Sequence, residues 1–231
     1  MNRTIAALFD LDGVIVDTES QYSIYWNNVG VKYLSDPDRF GDKVKGNTLR
    51  QIFEKYFSGR EEIQQEIVEN LDKWEHDMSY DYIPGILDFL NCLRKNDVKT
   101  AIVTSSNDVK MANLYREHPD IKSYFDVIVT ANQISRSKPD PECYLLAAKL
   151  LDADIQNCYV FEDSLAGLAA GRAAGMTVVG LSTTLPFSRI EDKADIVISD
   201  FREFDFDKLI RLVERKRVEY LYHHVSYQSL I

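Results

Sequence analysis

Six short apolar runs recur along the 231 residues, and each stops at a polar residue. Ile5–Phe9 precede Asp10, Thr100–Val103 precede Thr104, and Val127–Val129 precede Thr130. Cys158–Phe161 precede Glu162, Val178–Leu181 precede Ser182, and Ile196–Ile198 precede Ser199. Between several of them lie stretches with apolar residues three and four apart, such as Ile86, Leu87, Leu90 and Leu93, or Tyr144, Leu145, Ala148 and Leu151. Short continuous apolar runs alternating with helical periodicity specify βαβ units, hence a parallel sheet covered on both faces. In such sheets a ligand lies beyond the carboxyl ends of the strands. Asp10, Thr104 and the Glu162-Asp163 pair all fall at that edge.

Residues 18–83 break the rhythm. They hold no convincing strand, but Leu49, Ile52, Phe53 and Tyr56 share one helical face, as do Ile63, Ile67, Leu71 and Trp74. The expectation is a helical cap at 18–83 inserted after the first strand, in an α/β core made of 1–17 and 84–231. Pro84-Gly85 is the expected re-entry joint. A further helix is expected near Phe206 to Arg217, ahead of an aromatic tail over 219–231 with no assigned role. Gly167, Gly171 and Gly175, spaced by four, are expected on one face of a helix pressed close to the sheet.

Asp10 and Asp12 are two residues apart at the end of the first strand, so both can face one spot. Like charges 4 Å apart repel by about 4 kcal/mol at an effective dielectric near 20. Either one acid holds its proton or a cation lies between them. Glu162 and Asp163 bring two more carboxylates to the same edge, which argues for a hard divalent cation with oxygen ligands, Mg²⁺ fitting best. One of that second pair has an alternative use as a cap of the following helix, for which Ser164 also qualifies. Thr104, Ser105 and Asn107 offer hydroxyl, amide and backbone donors to phosphate oxygens where the second strand gives way to a helix. Ordinary N-capping is the competing use of such residues. Lys138, followed by Pro139-Asp140-Pro141, is held on a stiff loop.

The net charge of −10 disfavours a nonspecific grip on nucleic acid, without excluding a phosphorylated small molecule. Cys92, Cys143 and Cys158 have no metal-ligand spacing and suit reduced thiols. His76, His118, His223 and His224 show no metal spacing tied to the acids. With no signal-peptide pattern and no apolar run of about 18 residues, the expected setting is the cytoplasm, away from membranes.

Asp10-Leu11-Asp12-Gly13, Thr104-Ser105-Ser106-Asn107, Ser137-Lys138-Pro139 and Phe161-Glu162-Asp163-Ser164, in that order, resemble the haloacid dehalogenase (HAD) superfamily. The resemblance is to its β-phosphoglucomutase-like phosphatases, with a Rossmann-like HAD core and a helical cap, and it runs from Ile5 to about Ile198. It implies a Mg²⁺-dependent phosphatase acting through an aspartyl-phosphate on a small phosphorylated metabolite such as a sugar phosphate. By resemblance Asp10 is the nucleophile and Asp12 the general acid and base. Thr104 binds phosphate, and Lys138 neutralises the nucleophile and the transferring group. The implied metal ligands are Asp10, the main-chain carbonyl of Asp12, and Asp163, with Glu162 as a further ligand or an orienting neighbour.

Lys45-Gly46-Asn47-Thr48-Leu49-Arg50 resembles the family's cap specificity loop. Gly46 permits close backbone approach there, and Lys45 and Arg50 offer cations for hydroxyls or a second anion. The first cap helix carries Tyr22 where β-phosphoglucomutases have a histidine, which lowers the alternative of a phosphosugar mutase. Tyr22 and Trp26 are expected in the cap core. Asp12 argues against dehalogenation, and a phosphonate-cleaving Schiff base on Lys32, Lys43 or Lys45 is not favoured. A receiver-like phosphate switch would be about half this length and capless. The expected assembly is a monomer or homodimer.

Overall fold

The computed structural model describes residues 4–35, 39–45 and 47–212. Gly46, the end of the helix expected near 206–217, the histidines at 223 and 224 and the tail 219–231 lie outside the described residues. The chain runs β1 (Ala6–Phe9), α1 (Glu19–Leu34), α2 (Phe40–Val44), α3 (Leu49–Tyr56), α4 (Glu61–Asp77) and α5 (Ile86–Lys95). There follow β2 (Lys99–Val103), α6 (Asp108–Glu117), β3 (Val127–Val129), α7 (Glu142–Leu150) and β4 (Cys158–Glu162). The remainder is α8 (Leu165–Ala173), β5 (Thr177–Leu181), α9 (Phe187–Ile190) and β6 (Ile196–Ile198), and residues 206–212 are again helical.

All six expected strands form one parallel sheet in the order β3-β2-β1-β4-β5-β6. This is the doubly wound order, and β1 sits at its switch point between β2 and β4. Strand alternation divides the core in two. Ala6, Leu8, Val103 and Val160 pack under α7 and α8. Phe9, Ile102, Phe161 and Val179 pack against α5, α6 and the segment carrying Phe201, Phe204 and Leu209. Phe9 pairs with Phe161 across β1 and β4, and their rings stack at 4.5 Å and 9°. Phe89 and Phe201 meet both rings. This aromatic stack lies directly beneath Asp10 and Glu162, so it sets their relative height at the sheet edge.

Two helical details differ from expectation. Leu145 is 38% exposed, and α7 instead buries Cys143, Tyr144, Ala147 and Ala148. Gly175 lies beyond α8 with φ +76°, where its backbone stops the helix. Of the three spaced glycines, Gly167 and Gly171 alone press the helix onto the sheet.

Helices α1 to α4 build a core of their own around Trp26, Phe40, Phe57 and Ile67. Both expected apolar faces, Leu49 to Tyr56 and Ile63 to Trp74, contribute to it. Thr48 and Gln51 form a reciprocal capping box that starts α3. The outgoing and returning chains are tied by Asp17 N–H to the Asp81 carbonyl at 2.8 Å and Ile83 N–H to the Ile15 carbonyl at 2.9 Å. Gly85 takes φ +83° against the Arg202 backbone, so the re-entry turn has no room for a Cβ. Among the described residues, no helix is long and apolar enough to cross a membrane.

Phe161→Ala removes the centre of the stack and is expected to cost about 3–5 kcal/mol, read from urea unfolding. A loss under about 1 kcal/mol would show that the stack does not carry the sheet.

Candidate active site

Asp10 follows β1 directly, and its N–H donates to the Phe161 carbonyl at 3.0 Å, so main-chain pairing with β4 extends one residue past the strand. The loop before α7 lays Lys138 beneath it. Lys138 Nζ donates to Asp10 Oδ1 at 2.8 Å, Glu162 Oε1 at 2.6 Å and the Val103 carbonyl at 3.1 Å. Three donors meet three acceptors, and Lys138 as a whole is 6% exposed. Burial works against that charge, but Asp10 and Glu162 more than offset it and keep the lysine's pKa above its ordinary value.

Glu162 is fully buried and its oxygens are filled. Oε1 also accepts from Tyr144 Oη at 2.8 Å, while Oε2 accepts from Asp163 N–H, Ser164 N–H and Ser164 Oγ at 3.1–3.2 Å. Ser164 Oγ in turn accepts from Gly167 N–H and caps α8. The capping use falls to Ser164 and not to either acid. Glu162 orients its neighbours, and Ser164 starts the helix. A Cβ on Gly167 would collide with the Glu162 carboxylate, so the glycine is what admits that carboxylate under α8.

Asp163 receives the Thr184 hydroxyl and lies against Gly13, whose φ of +73° turns the chain away from it. Carboxylate oxygens of Asp10, Glu162 and Asp163 lie within 4.8 Å of one another. Burial, opposed by Lys138 and helped by Glu162, pushes Asp10 up to about 7. Burial, with Glu162 and Asp10, also drives Asp163 well above the carboxylate range. One ammonium does not balance three buried acids, and hard oxygen donors at this spacing fit a divalent cation. Since Glu162 is saturated, the carboxylates open to such an ion are Asp10 and Asp163.

The Asp12 side chain turns elsewhere. Oδ1 accepts from the Thr18 hydroxyl and from Lys110 Nζ, the latter at 2.5 Å, and Oδ2 accepts from Ser106 Oγ at 3.1 Å. Thr104 is buried, with its Oγ1 accepting from Ser106 N–H at 3.0 Å, which curls the loop after β2 so that Ser106 reaches Asp12. Ser105 is exposed on that loop, and Asn107 Oδ1 caps α6 through Lys110 N–H at 2.9 Å. Asp12, Thr104, Ser105, Ser106, Asn107 and Lys110 line one cavity of about 410 Å³ between core and cap, together with Asp10, Lys138 and Asp163. Lys45 lines it too, 3.7 Å from Asp42, and Arg50 stands at its rim, exposed and paired with Glu54 at 2.8 Å. Tyr22, Trp26, Glu19 and Glu75 complete the cap wall. Burial and the nearby Asp12 charge raise Glu19 to about 7.

The strand ends brought the acids and Thr104 to one edge and the resemblance put Lys138 beside Asp10, but neither gave a role to Thr18, Ser106, Lys110, Tyr144 or Thr184. Lys110 left one legible trace: it follows the capping Asn107 by three and sits on the same helical face as Met111 and Leu114. Tyr144 was legible only as an apolar member of α7, and the hydroxyls of Thr18, Ser106 and Thr184 carried no periodic signal.

A doubly wound sheet with a lysine-braced acid cluster at its carboxyl edge, roofed by a helical insertion, is a Rossmann-like α/β core with a helical cap. Residues 7–181 match the model described as haloacid dehalogenase-like hydrolase, and the chain belongs to that family, in its β-phosphoglucomutase-like branch with a helical cap. It is 28% identical over 206 residues to hexitol phosphatase A of Escherichia coli, covering 87% of this chain and 93% of the relative. It is also 28% identical over 230 residues to β-phosphoglucomutase of Bacillus subtilis, covering 92% and 97%. The crystal structure of β-phosphoglucomutase from Clostridium difficile superposes with a TM-score of 0.78 at 27% identity, covering 93% of this chain and 99% of that one.

Gly167→Ala is expected to cost about 1–3 kcal/mol through overpacking against Glu162. It should also displace Lys138, lowering activity beyond the loss of folded protein. A variant as stable and active as the parent would show that Glu162 need not lie under α8.

Proposed function

We propose that this chain is a Mg²⁺-dependent phosphomonoesterase acting on a small phosphorylated metabolite, a sugar or polyol phosphate, through phospho-Asp10. The observation that carries this reading is the buried ammonium of Lys138 held at 2.8 Å from Asp10 Oδ1. A nucleophilic carboxylate approaching an anionic phosphoryl group needs a fixed positive charge beside it.

Asp10 Oδ attacks phosphorus, the bond to the leaving oxygen breaks, and the Asp12 carboxyl gives that oxygen its proton. Water then attacks the phosphorus of phospho-Asp10 as Asp12 takes a proton from it, and the bond to Asp10 breaks to release phosphate. Thr104 and the backbone of Ser105 serve as donors to the phosphoryl oxygens, and Lys138 holds Asp10 and offsets its charge. Asp10, the main-chain carbonyl of Asp12 and Asp163 are the residues to hold Mg²⁺. When bound, the ion supplies positive charge to the phosphoryl oxygens. Asp10 would thus both attack phosphorus and help hold the ion.

The cap supports a polar, carbon-containing substrate part. Glu19, Asn47 and Lys45 offer hydrogen bonds and Trp26 an apolar wall, within a volume suited to a small ligand. Tyr22 disfavours the mutase reading, because its hydroxyl is committed to Glu75 at 2.7 Å. A phosphate-switch module is set aside by the cap and the family.

Phosphate release from a panel of sugar and polyol phosphates with Mg²⁺ tests the reading. Asp10→Asn is expected to lose at least about a thousandfold in kcat, and activity retained in that variant would remove the nucleophile assignment. EDTA should abolish turnover and added Mg²⁺ restore it. Asp163→Asn should raise the Mg²⁺ concentration needed for half activity by about tenfold or more. Conversion of a sugar 1-phosphate to the 6-phosphate with no free phosphate would establish the mutase instead.

A further inference from the structure

We propose that Lys110 is a positioning residue that fixes the Asp12 carboxylate and ties it to the cap, an assignment that rests on the role given to Asp12 above. Lys110 lies on the inner face of α6 beside Met111 and Leu114, where an apolar residue would be the ordinary choice. An ammonium stripped of water is tolerated there only opposite an anion. Its Nζ lies 2.5 Å from Asp12 Oδ1, with side-chain exposures of 5% and 17%.

The remaining contacts explain what this pair does. Thr18 donates to the same Asp12 oxygen and Ser106 to the other. The three donors come from the start of α1, the loop after β2, and α6. A short carboxylate held from three directions keeps one orientation, and Lys110 is the charged member of the set. On its other side Nζ sits 4.4 Å from the centroid of the Tyr22 ring, a cation–π distance. The Tyr22 hydroxyl donates to buried Glu75 on α4. The ammonium therefore lies between an acid of the core and a cap tyrosine that is itself anchored to Glu75. A shift of the cap at Tyr22 changes the packing of Lys110, and through it the placement of Asp12. Lys110 itself touches no reacting atom.

The test is a kinetic double-mutant cycle with p-nitrophenyl phosphate and Mg²⁺, comparing the parent, Lys110→Met, Asp12→Asn and the double variant. Lys110→Met is expected to lower kcat about tenfold or more, part of what a proton-transfer group contributes. KM should stay within about threefold, because ground-state binding is not removed. Lys110→Arg, which keeps the charge, should recover most of the loss. Added to Asp12→Asn, Lys110→Met should have no further effect, since a residue acting through another is silent once that other is gone. The proposal is overturned if Lys110→Met keeps kcat within about twofold, or if its loss is undiminished in the Asp12→Asn background. Should Lys110→Met fail to fold, Lys110→Gln takes its place in both backgrounds. Wild-type turnover abolished by Asp10→Asn, with Lys110→Met unaffected, would sink the Lys110 assignment alone. No turnover by the parent, or full turnover by Asp10→Asn, would sink the phosphatase reading and this inference with it.

Discussion

The buried ion pair of Lys138 with Asp10 and Glu162 is the constraint on which the rest of the site depends. Taking these charges out of water costs several kcal/mol per ion, and the arrangement survives only because every donor and acceptor finds a partner. Lys138 spends its three N–H groups on Asp10, Glu162 and the Val103 carbonyl. Glu162 is in turn held by Tyr144, Ser164 and two backbone N–H groups. Breaking any link leaves an uncompensated charge under the sheet edge, so the loop before α7, the start of α8 and the ends of β1, β2 and β4 are locked to one another. The Phe9–Phe161 stack beneath does the same work with apolar surface.

On this braced floor two carboxylates have different surroundings. Asp10 and Asp163 face a common space and lack sufficient positive charge, which is the electrostatic signature of a cation site. Asp12, two residues from Asp10, is turned toward Lys110, Thr18 and Ser106. Two acids that look equivalent in the sequence are thus given separate tasks by their neighbours. The cap contributes to the Asp12 side of this division, since Thr18 begins its first helix and Tyr22 closes over Lys110.

Much of this was legible because it depends on local pattern. Continuous apolar runs are buried on both faces wherever helices cover a parallel sheet, so all six strands could be read. The cap faces at Leu49–Tyr56 and Ile63–Trp74 followed from helical spacing. Where the expectation failed, a tertiary neighbour decided. Leu145 fits the apolar periodicity of α7, but the sheet lies under Cys143, Tyr144 and Ala147 instead. Gly175 continues a spacing of four but comes one residue after the helical cap position, where its positive φ ends α8. Asn107 lies on the cavity wall while its side-chain oxygen caps α6, the competing use that its position already offered.

The sequence by itself determined the sheet, the insertion point of the cap, and the gathering of Asp10, Asp12, Thr104, Glu162 and Asp163 at one edge. Strand ends and their polar residues are local features, and parallel pairing brings those ends together without further instruction. Only the tertiary structure decided which way each carboxylate faces and what holds it. Lys138 lies 128 residues from Asp10 and Lys110 lies 98 from Asp12, so no local spacing could announce either pair. The saturation of Glu162, which leaves Asp163 as the open ligand, depends on Tyr144 and on a glycine at 167 that permits close approach. Charge placement in a buried site is a matter of three-dimensional neighbours, and these come together only when the chain folds.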